Sequence, residues 1–286
     1  MSVGENQVEA VWPFDVGIVG TGIVGAHQLT REAEEVIRRC RQTFVIDSGY
    51  GLPDYLRTLC PHVTELGVYY EPGKDRVPTY RRMAAEVVAA AVAEPPVCLA
   101  TYGHPWIYCY PTTLIKRAAP LLGLHVEVFP GVSSLDTLLV DLGMDIALDG
   151  IQMYEATDLL LRRRPLQTDV ACVIWQPTVV GDPGYHVGPY EEEQFLPLQA
   201  YLCDLYPADH EAVLVTTKTF PLARSVVRHT RIGDLAAELA RAPQVATLYI
   251  PPLEPRPVED LALLETMLAG ESKAAASPPA SDAIPA

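Results

Sequence analysis

Short apolar runs alternate with stretches of helical periodicity through the first 130 residues, and this alternation limits the fold more than any other feature. The predicted strands are Val16–Val19, Thr43–Ile46, Val97–Ala100 and Val126–Phe129. The predicted helices lie at 28–41, 54–60, 76–94 and 112–122. Strands that alternate with helices need crossover connections, which predict a parallel sheet with helices on both faces.

A second α/β layer is predicted after Pro130-Gly131. Its helices are expected at 133–142, 192–206 and 232–241, and its strands at 170–175, 212–216 and 247–250. We therefore divide the chain into an extension at 1–14, an N-terminal α/β domain at 15–130 and a C-terminal α/β domain at 131–255. The remainder, 256–286, is expected to hold a helix and then a disordered tail rich in Ala, Pro and Ser.

Three glycine-containing loops follow predicted strands. The first, Gly20-Thr21-Gly22-Ile23-Val24-Gly25, matches the pattern GxGxxG, and Asp47 ends the next strand where a ribose-binding acid would lie in a dinucleotide site. This motif alone leaves open an NAD site, another nucleoside cofactor or a plain turn. The other two loops, at 102–105 and 130–134, leave the same sheet edge if the sheet is parallel, and together they favour a ligand site.

The formal net charge of −15 argues against nucleic acid and anionic membranes as partners, because both are bound largely through Lys and Arg. The first residues do not resemble a signal peptide, and no apolar run is long enough to span a bilayer, so we expect a cytoplasmic protein. The six cysteines are scattered without zinc spacing. Reduced, mostly buried thiols and no metal site are therefore predicted.

Several motifs, in their order along the chain, resemble those of one family. They are GTGI at 20–23, YGHP at 102–105, PGVSS at 130–134, YEATD at 154–158 and YIPP at 249–252. Their order resembles that of the tetrapyrrole (corrin/porphyrin) methylases, and most of all the borosin-type peptide backbone α-N-methyltransferases. More specific to this branch are the segments at 69–71, 73–76 and 79–80, and Asp141-Leu142-Gly143 with Asp145. The resemblance runs from about Val16 to Pro252.

The resemblance implies a fold, a cofactor and a set of site residues. The fold is a tetrapyrrole-methylase-like pair of α/β domains, with a parallel N-terminal sheet, a mixed C-terminal sheet and S-adenosylmethionine in the cleft of a homodimer. The resemblance implies cofactor contacts at Tyr102, His104, Ile107, Tyr108, Ser133, Gln176 and Thr247. The first glycine loop adds Gly20 and Gly22 to the expected cofactor contacts. The expected catalytic residues are Tyr70, Arg76, Tyr80 and Tyr102.

The implied reaction is iterative α-N-methylation of backbone amides in a ribosomally made precursor peptide. Fungal members carry that peptide fused to their own C-terminus behind an additional helical segment. Here the chain after Pro252 is short, and its prolines have no N–H to methylate. We therefore expect a separate precursor peptide, supplied in trans.

A peptide nitrogen is a poor nucleophile because its lone pair is delocalised into the carbonyl group. Methylation needs a base for the N–H and a donor for the charge that develops on the oxygen. Arg76 and Tyr80 are spaced i, i+4 and would lie on one helix face, where a guanidinium favours the phenolate. Our hypothesis makes Tyr80 the base and Arg76 its activator, with Tyr70 or Tyr102 as the donor.

Structural explanations compete with these roles. Most of the 14 tyrosines are expected to be packing residues. The alternative for His104 is a loop residue that satisfies backbone groups rather than a ligand. Glu155 and Asp158 fit a helix cap. The basic run Arg162-Arg163-Arg164 is expected to be a solvated helix end rather than a contact for an acidic leader segment of a precursor peptide. His210 and His229 have no partner that the sequence identifies.

Three other functions compete with peptide methylation. The first is methylation of a small molecule such as a tetrapyrrole, with the same fold and cofactor but no need for the Arg76 and Tyr80 pair. The second is an NAD-dependent oxidoreductase built on Gly20, Gly22, Gly25 and Asp47. The third is a binding module that has lost catalysis, against which the retained tyrosines and Arg76 argue.

Overall fold

A five-stranded parallel sheet forms the N-terminal half of the fold, in a computed structural model that describes residues 13–46, 51–254 and 256–275. Its strands are β1 (Val16–Gly20), β2 (Gln42–Val45), β3 (Val63–Glu65), β4 (Val97–Thr101) and β5 (Val126–Phe129). The order is β3-β2-β4-β1-β5, and every pair is parallel. The predicted parallel sheet is confirmed.

Helices connect these strands on both faces of the sheet. They are α1 (Arg31–Arg39), α2 (Leu52–Leu59), α3 (Arg76–Ala93) and α4 (Tyr110–Ala118). The two central strands β1 and β4 are buried at every position, as parallel strands covered on both faces must be. Two clusters of buried apolar side chains, one on each face, form this half of the core.

A mixed sheet forms the other half. Its strands are β6 (Gln152–Glu155), β7 (Cys172–Trp175), β8 (Glu211–Thr216), β9 (Val226–Arg231) and β10 (Thr247–Ile250). The order is β6-β7-β10-β8-β9, with β6 parallel to β7 and the other pairs antiparallel. The helices of this half are α5 (Ser134–Leu142), α6 (Ile146–Asp149), α7 (Ala156–Arg162), α8 (Leu196–Cys203) and α9 (Leu235–Arg241), and α10 (Leu261–Ala275) follows.

Some predicted elements differ from the observed ones. The helix predicted at 192–206 is a 3₁₀ turn at Glu192–Gln194 and then α8, which has Pro197 at its second position, where a missing N–H costs nothing. The first predicted helix begins at Arg31 instead of residue 28, because the Thr30 hydroxyl accepts the N–H of Ala33 and caps it.

Parts of the prediction cannot be compared with the structure. Residues 1–12 of the predicted extension and the tail beyond 275 lie outside the described residues, as does Asp47. The domain limits near 130 and 255 stay predictions. Of the six cysteines, four are buried, and all six are free thiols. No helix of the described part of the chain is long and apolar enough to cross a membrane.

Candidate active site

A cavity of about 1060 Å³ lies between the carboxyl ends of the parallel strands and the loops of the mixed sheet. A residue at the carboxyl end of each parallel strand, or in the loop or first helical turn after it, lines the cavity: Thr21, Ile46, Gly67, Thr101 and Ser134. The mixed sheet contributes Trp175, Gln176, Thr219 and the segment 244–247. This is the edge at which open parallel sheets bind ligands.

The glycine loops contact one another directly at this edge. The N–H of Gly103 donates to the oxygen of Gly22 over 3.0 Å, which ties the loop after β4 to the loop after β1. A Cβ atom on Gly20 would lie 2.4 Å from the Gly103 oxygen and 2.8 Å from the Gly131 Cα. Because real Cβ atoms do not come so close to backbone, these glycines let the three loops meet.

The first glycine loop does not have the geometry of a dinucleotide site. The side-chain oxygen of Gln28 accepts the N–H groups of Ile23 and Val24, at 2.6 and 2.9 Å. A 3₁₀ helix, Gly25–Gln28, follows the loop, and α1 begins only at Arg31. A pyrophosphate needs free N–H groups at the start of the helix that follows the loop. The local structure therefore argues against an NAD site.

Seven of the nine predicted cofactor contacts line the cavity. They are Gly22, Tyr102, His104, Ile107, Tyr108, Gln176 and Thr247. Gly20 packs against the other loops instead, and Ser133 caps α5: its hydroxyl accepts the N–H of Asp136 at 3.2 Å and donates to that carboxylate at 2.7 Å. The neighbouring Ser134 lines the cavity in its place. The His104 ring accepts the N–H of Trp106, so this side chain also orders its own loop.

Two cavity residues have backbone conformations that side chains rarely adopt. Tyr108 has a φ of 53° and Gln176 a φ of 56°. Such conformations cost about 1–3 kcal/mol and tend to occur at functional sites. Burial, with the charges of Glu155 and Asp158, raises the pKa of Tyr108 to about 12, so its phenol stays protonated at neutral pH.

The four predicted catalytic residues, Tyr70, Arg76, Tyr80 and Tyr102, also line the cavity. The ring of Tyr70 lies edge-on to Tyr80, with centroids 6.2 Å apart, and stacks on Tyr185 at 4.8 Å. Burial and the neighbouring Tyr80 hydroxyl raise the pKa of Tyr70 far above its usual value, and Arg76 offsets this only in part. Tyr70 is therefore a hydrogen-bond donor at neutral pH and not a base.

Arg76 is the first residue of α3, which Asp75 caps by accepting the N–H of Val77 at 2.8 Å. Its guanidinium donates to the peptide oxygen of Asp182 at 2.7 Å and faces that of Pro183 at 3.5 Å. Both acceptors are neutral, so these bonds position the guanidinium without neutralising its charge. Tyr80, one turn further along α3, presents its ring to the same cavity.

Sequence reasoning missed the loop that holds Arg76. The Asp182 carboxylate accepts the N–H of Gly184 at 2.7 Å and the Tyr190 hydroxyl at 2.5 Å. Burial opposes ionisation of Asp182, but these bonds and the charge of Arg76 outweigh it and lower its pKa. The loop also exchanges hydrogen bonds with the segment before α3, where Gly73 donates to Tyr185 and Tyr185 to Lys74, both at 2.8 Å.

Other residues singled out in the sequence have local structural partners. Glu155 caps α7 by accepting the N–H groups of Thr157 and Asp158, at 3.0 and 2.7 Å. Asp158 pairs with Arg162 and Arg164, which favours the solvated helix end over a leader contact. The rings of His210 and His229 lie 3.0 Å from the Pro251 oxygen and 2.6 Å from the Glu211 carboxylate, respectively. Among the described residues there is no group of His, Cys, Asp and Glu that could hold a metal.

A family model for tetrapyrrole (corrin/porphyrin) methylases matches residues 15–236. The chain belongs to the tetrapyrrole methylases. Several solved structures share the fold of this tetrapyrrole methylase, with sequence identities of 20% or less. Uroporphyrin-III-C-methyltransferase from Thermus thermophilus has a TM-score of 0.58 and 20% identity, covering 84% of this chain and 92% of that one. The methyltransferase CobJ has a TM-score of 0.61 and 16% identity, covering 85% and 96%.

A Thermus thermophilus uroporphyrin-III C-methyltransferase was solved in complex with S-adenyl homocysteine. Its TM-score is 0.56 and its identity 16%, covering 82% of this chain and 91% of that one. The two-sheet fold expected from the sequence is the fold of these methyltransferases. The likeness extends through most of each solved chain.

Several relatives with higher identity are fusions of a methyltransferase and a peptide precursor. The omphalotin A precursor of Omphalotus olearius is 30% identical over 82% of this chain and 57% of its own length. A type I borosin precursor of Serendipita vermifera subsp. bescii is 31% identical over 85% and 60%. The gymnopeptide precursor of Gymnopus fusipes is 29% identical over 83% and 57%. The chain thus spans less than two thirds of these three relatives.

Proposed function

We propose that this tetrapyrrole methylase is an S-adenosylmethionine-dependent methyltransferase that repeatedly methylates backbone amide nitrogens of a separate precursor peptide, as a homodimer. The observation that carries the proposal is the cluster of Tyr70, Arg76 and Tyr80 on the wall of the cavity that the glycine loops also line. The named peptide precursors among its relatives support a peptide as the acceptor.

The cavity fits S-adenosylmethionine. The backbones of Gly22 and Gly103 line it without side chains, so a cofactor can approach them closely. Ile107 and Ala246 offer apolar surface for the adenine ring of the cofactor. Gln176 and Thr247 offer polar atoms for hydrogen bonds to it. When bound, the cofactor supplies an electrophilic methyl group on its sulfonium.

The tyrosine cluster supplies what the acceptor needs. Tyr80 takes the amide proton, and Arg76, one turn before it on α3, lines the same cavity. Tyr70 donates to the oxygen on which charge develops, a role that its raised pKa supports, with Tyr102 as the alternative donor. Tyr80 would hold the amide proton while the nitrogen accepts the methyl group that the bound cofactor would supply.

The first test is co-expression with each short open reading frame that flanks the gene, followed by tandem mass spectrometry. We expect mass increments of methyl groups located on backbone nitrogens of one peptide. In the matched experiment Tyr80→Phe should bind S-adenosylhomocysteine as the wild type does and lose about a hundredfold or more in methylation rate, as removal of a general base does. Full activity of Tyr80→Phe would contradict its role.

The family name itself favours a second candidate, methylation of a tetrapyrrole-like small molecule. That acceptor is attacked at carbon and needs no amide deprotonation. Arg76→Ala distinguishes the two candidates if the variant still binds S-adenosylhomocysteine. Peptide methylation should then fall sharply, whereas methylation of a ring carbon should not depend on this side chain.

A further inference from the structure

We propose that the outer edge of β9 binds an extended acidic segment of the precursor peptide, which adds to the mixed sheet as a further strand. This inference rests on the proposed function and names the surface that holds the substrate while its amides reach the cavity. The surface, called here the basic edge, consists of β9 and the loop before it, residues 217–231. The expected partner is a peptide segment that is extended and rich in Asp and Glu.

β9 is the longest strand at an edge of either sheet. It has six residues, whereas the edge strands β3, β5 and β6 have three, four and four. All six pair with β8 in a continuous antiparallel register without a bulge. Half of the peptide groups of β9 therefore point away from β8, and no other described strand pairs with them. Such an edge is a template for pairing with another chain.

The strand also exposes apolar side chains on both faces of the sheet. Val226 and Val227 are 53% and 38% exposed, and as successive strand residues they point to opposite faces. The edge strand β6 differs, because the Gln152 side chain donates to the backbone oxygen of Val170 at 3.1 Å and ties the following loop to it. An added strand on β9 would cover both valines as well as the open peptide groups.

The basic edge has a charge opposite to that of the whole chain. Residues 217–231 include four Lys and Arg residues and no Asp or Glu, in a chain of net charge −15. Arg228 forms an ion pair with α9 at 3.0 Å. Lys218, Arg224 and Arg231 are exposed and form no ion pair with any described residue. These charges repel the same edge of a second copy, whereas they attract the carboxylates of an acidic strand.

The basic edge leads to the cavity. Thr219 and Phe220, in the loop before β9, line the cavity, and the Thr217 hydroxyl donates to the Asp141 carboxylate of α5 at 2.6 Å. The chain itself covers the distance from Phe220 to Val226 within the loop, so a bound peptide needs about six residues or fewer to cover it. The acidic segment and the methylated amides are thus expected to lie close together in the precursor sequence.

The experiment compares two fluorescein-labelled octapeptides, one of alternating threonine and glutamate and one of alternating threonine and glutamine. Their affinities are measured by fluorescence polarisation on the full chain with saturating S-adenosylhomocysteine. The test variant is Arg224→Glu with Arg231→Glu. The control, Arg162→Glu with Arg163→Glu, makes the same change of charge in the exposed basic run at the end of α7.

We expect the wild type to bind the glutamate peptide at least about tenfold more tightly than the glutamine peptide at low ionic strength, and added salt to reduce this preference. The test variant should lose the preference, and the control should keep it. Thermal unfolding and S-adenosylhomocysteine binding establish that each variant is folded. Equal affinity of the wild type for the two peptides, or an equal loss of preference in the control, would overturn the proposal.

Strand addition is tested separately from charge. A glutamate peptide with a methyl group on every backbone nitrogen keeps its carboxylates but cannot donate to the edge of β9. We expect it to bind at least about tenfold more weakly than the unmethylated peptide, because an added strand is held by main-chain hydrogen bonds. Equal affinity of the two peptides would overturn strand addition.

Two other occupants of the basic edge give different results. A fluorescein-labelled strand of eight thymidines that binds as tightly as the glutamate peptide would identify a nucleic-acid surface. Sedimentation equilibrium in which only Arg224→Glu with Arg231→Glu becomes monomeric would identify a contact between two copies of the chain. Either result would overturn the assignment to an acidic peptide.

A longer peptide with S-adenosylmethionine separates this inference from the proposed function. It joins the glutamate octapeptide to a segment of alternating glycine and alanine. If this peptide binds through Arg224 and Arg231 and gains no methyl group, the basic edge stands and backbone methylation is wrong for this peptide. If it is methylated with the same KM in the wild type and in the test variant, the function stands and the assignment of the basic edge is wrong.

Discussion

Asp182 illustrates how one residue far along the chain sets the position of a candidate catalytic group. Its peptide oxygen accepts a hydrogen bond from the Arg76 guanidinium. Its carboxylate accepts hydrogen bonds from the Gly184 N–H and the Tyr190 hydroxyl. The two functions reinforce each other because the carboxylate fixes the loop that carries the oxygen. Arg76 is thus oriented by the backbone of this loop.

We expect Asp182→Asn to slow methyl transfer by about tenfold to a hundredfold, because small misplacements of catalytic groups cost rates of this order. An amide keeps the size of the side chain but not the charge that attracts the Tyr190 hydroxyl and the Gly184 N–H. Affinity for S-adenosylhomocysteine should stay unchanged. Asp169→Asn is the control, since Asp169 pairs with Arg256 and does not line the cavity. An unchanged kcat in Asp182→Asn would contradict the positioning role.

At the scale of elements, the glycine loops act as one unit whose contacts are made by backbone. We expect Gly20→Ala to lower the free energy of unfolding by about 1–3 kcal/mol, as overpacking does, and to weaken S-adenosylhomocysteine binding. Gly143→Ala is the control: Gly143 ends α5 with a φ of +65° and open space around it. It should cost about 1–2 kcal/mol of backbone strain and leave binding unchanged. Urea unfolding and ligand titration of both variants measure these effects.

The same elements explain what the sequence predicted and what it did not. The strands β1, β4 and β5 were found because they are short, mostly apolar runs next to turn residues. The short β3 and the largely exposed edge strand β9 were missed, because their residues show no apolar run. Motifs located the part of the cavity wall that the glycine loops and the tyrosine cluster form, but not the Asp182 loop. Its contacts join residues more than 100 positions apart through peptide oxygens, which leave no sequence pattern.

At the scale of the whole molecule, buried tyrosines predict a loss of stability at alkaline pH. Burial is the main cause that raises the pKa values of Tyr70, Tyr190 and Tyr206 above the usual 10.0. Well below pH 10 these groups are protonated in both the folded and the unfolded chain, so they do not make the free energy of unfolding depend on pH. As the pH rises past 10, the unfolded chain releases protons that the folded chain keeps, so the free energy of unfolding falls.

Tyr206→Phe tests this prediction most directly. The Tyr206 hydroxyl is one of three buried side-chain polar atoms without a hydrogen-bond partner among the described residues. Removing it should leave stability at pH 8 unchanged or raise it by about 1 kcal/mol, since an unsatisfied buried group costs about 1–3 kcal/mol. The variant should also lose less stability than the wild type between pH 9 and pH 11. Urea unfolding measures both, and parallel pH profiles would contradict the assignment.

The last prediction concerns the proposed homodimer, for which α10 offers exposed apolar side chains. Leu261, Leu264 and Leu268 follow helical spacing and are 61%, 37% and 55% exposed in a single chain. We expect sedimentation equilibrium to give about twice the chain mass of 31.3 kDa. Each leucine that becomes buried between two chains adds at most about 1.5–3 kcal/mol to the free energy of association. Leu264→Glu with Leu268→Glu should then yield the monomer. Thr266→Glu adds a charge on the opposite face and should stay dimeric, so equal dissociation of both variants would remove α10 from the interface.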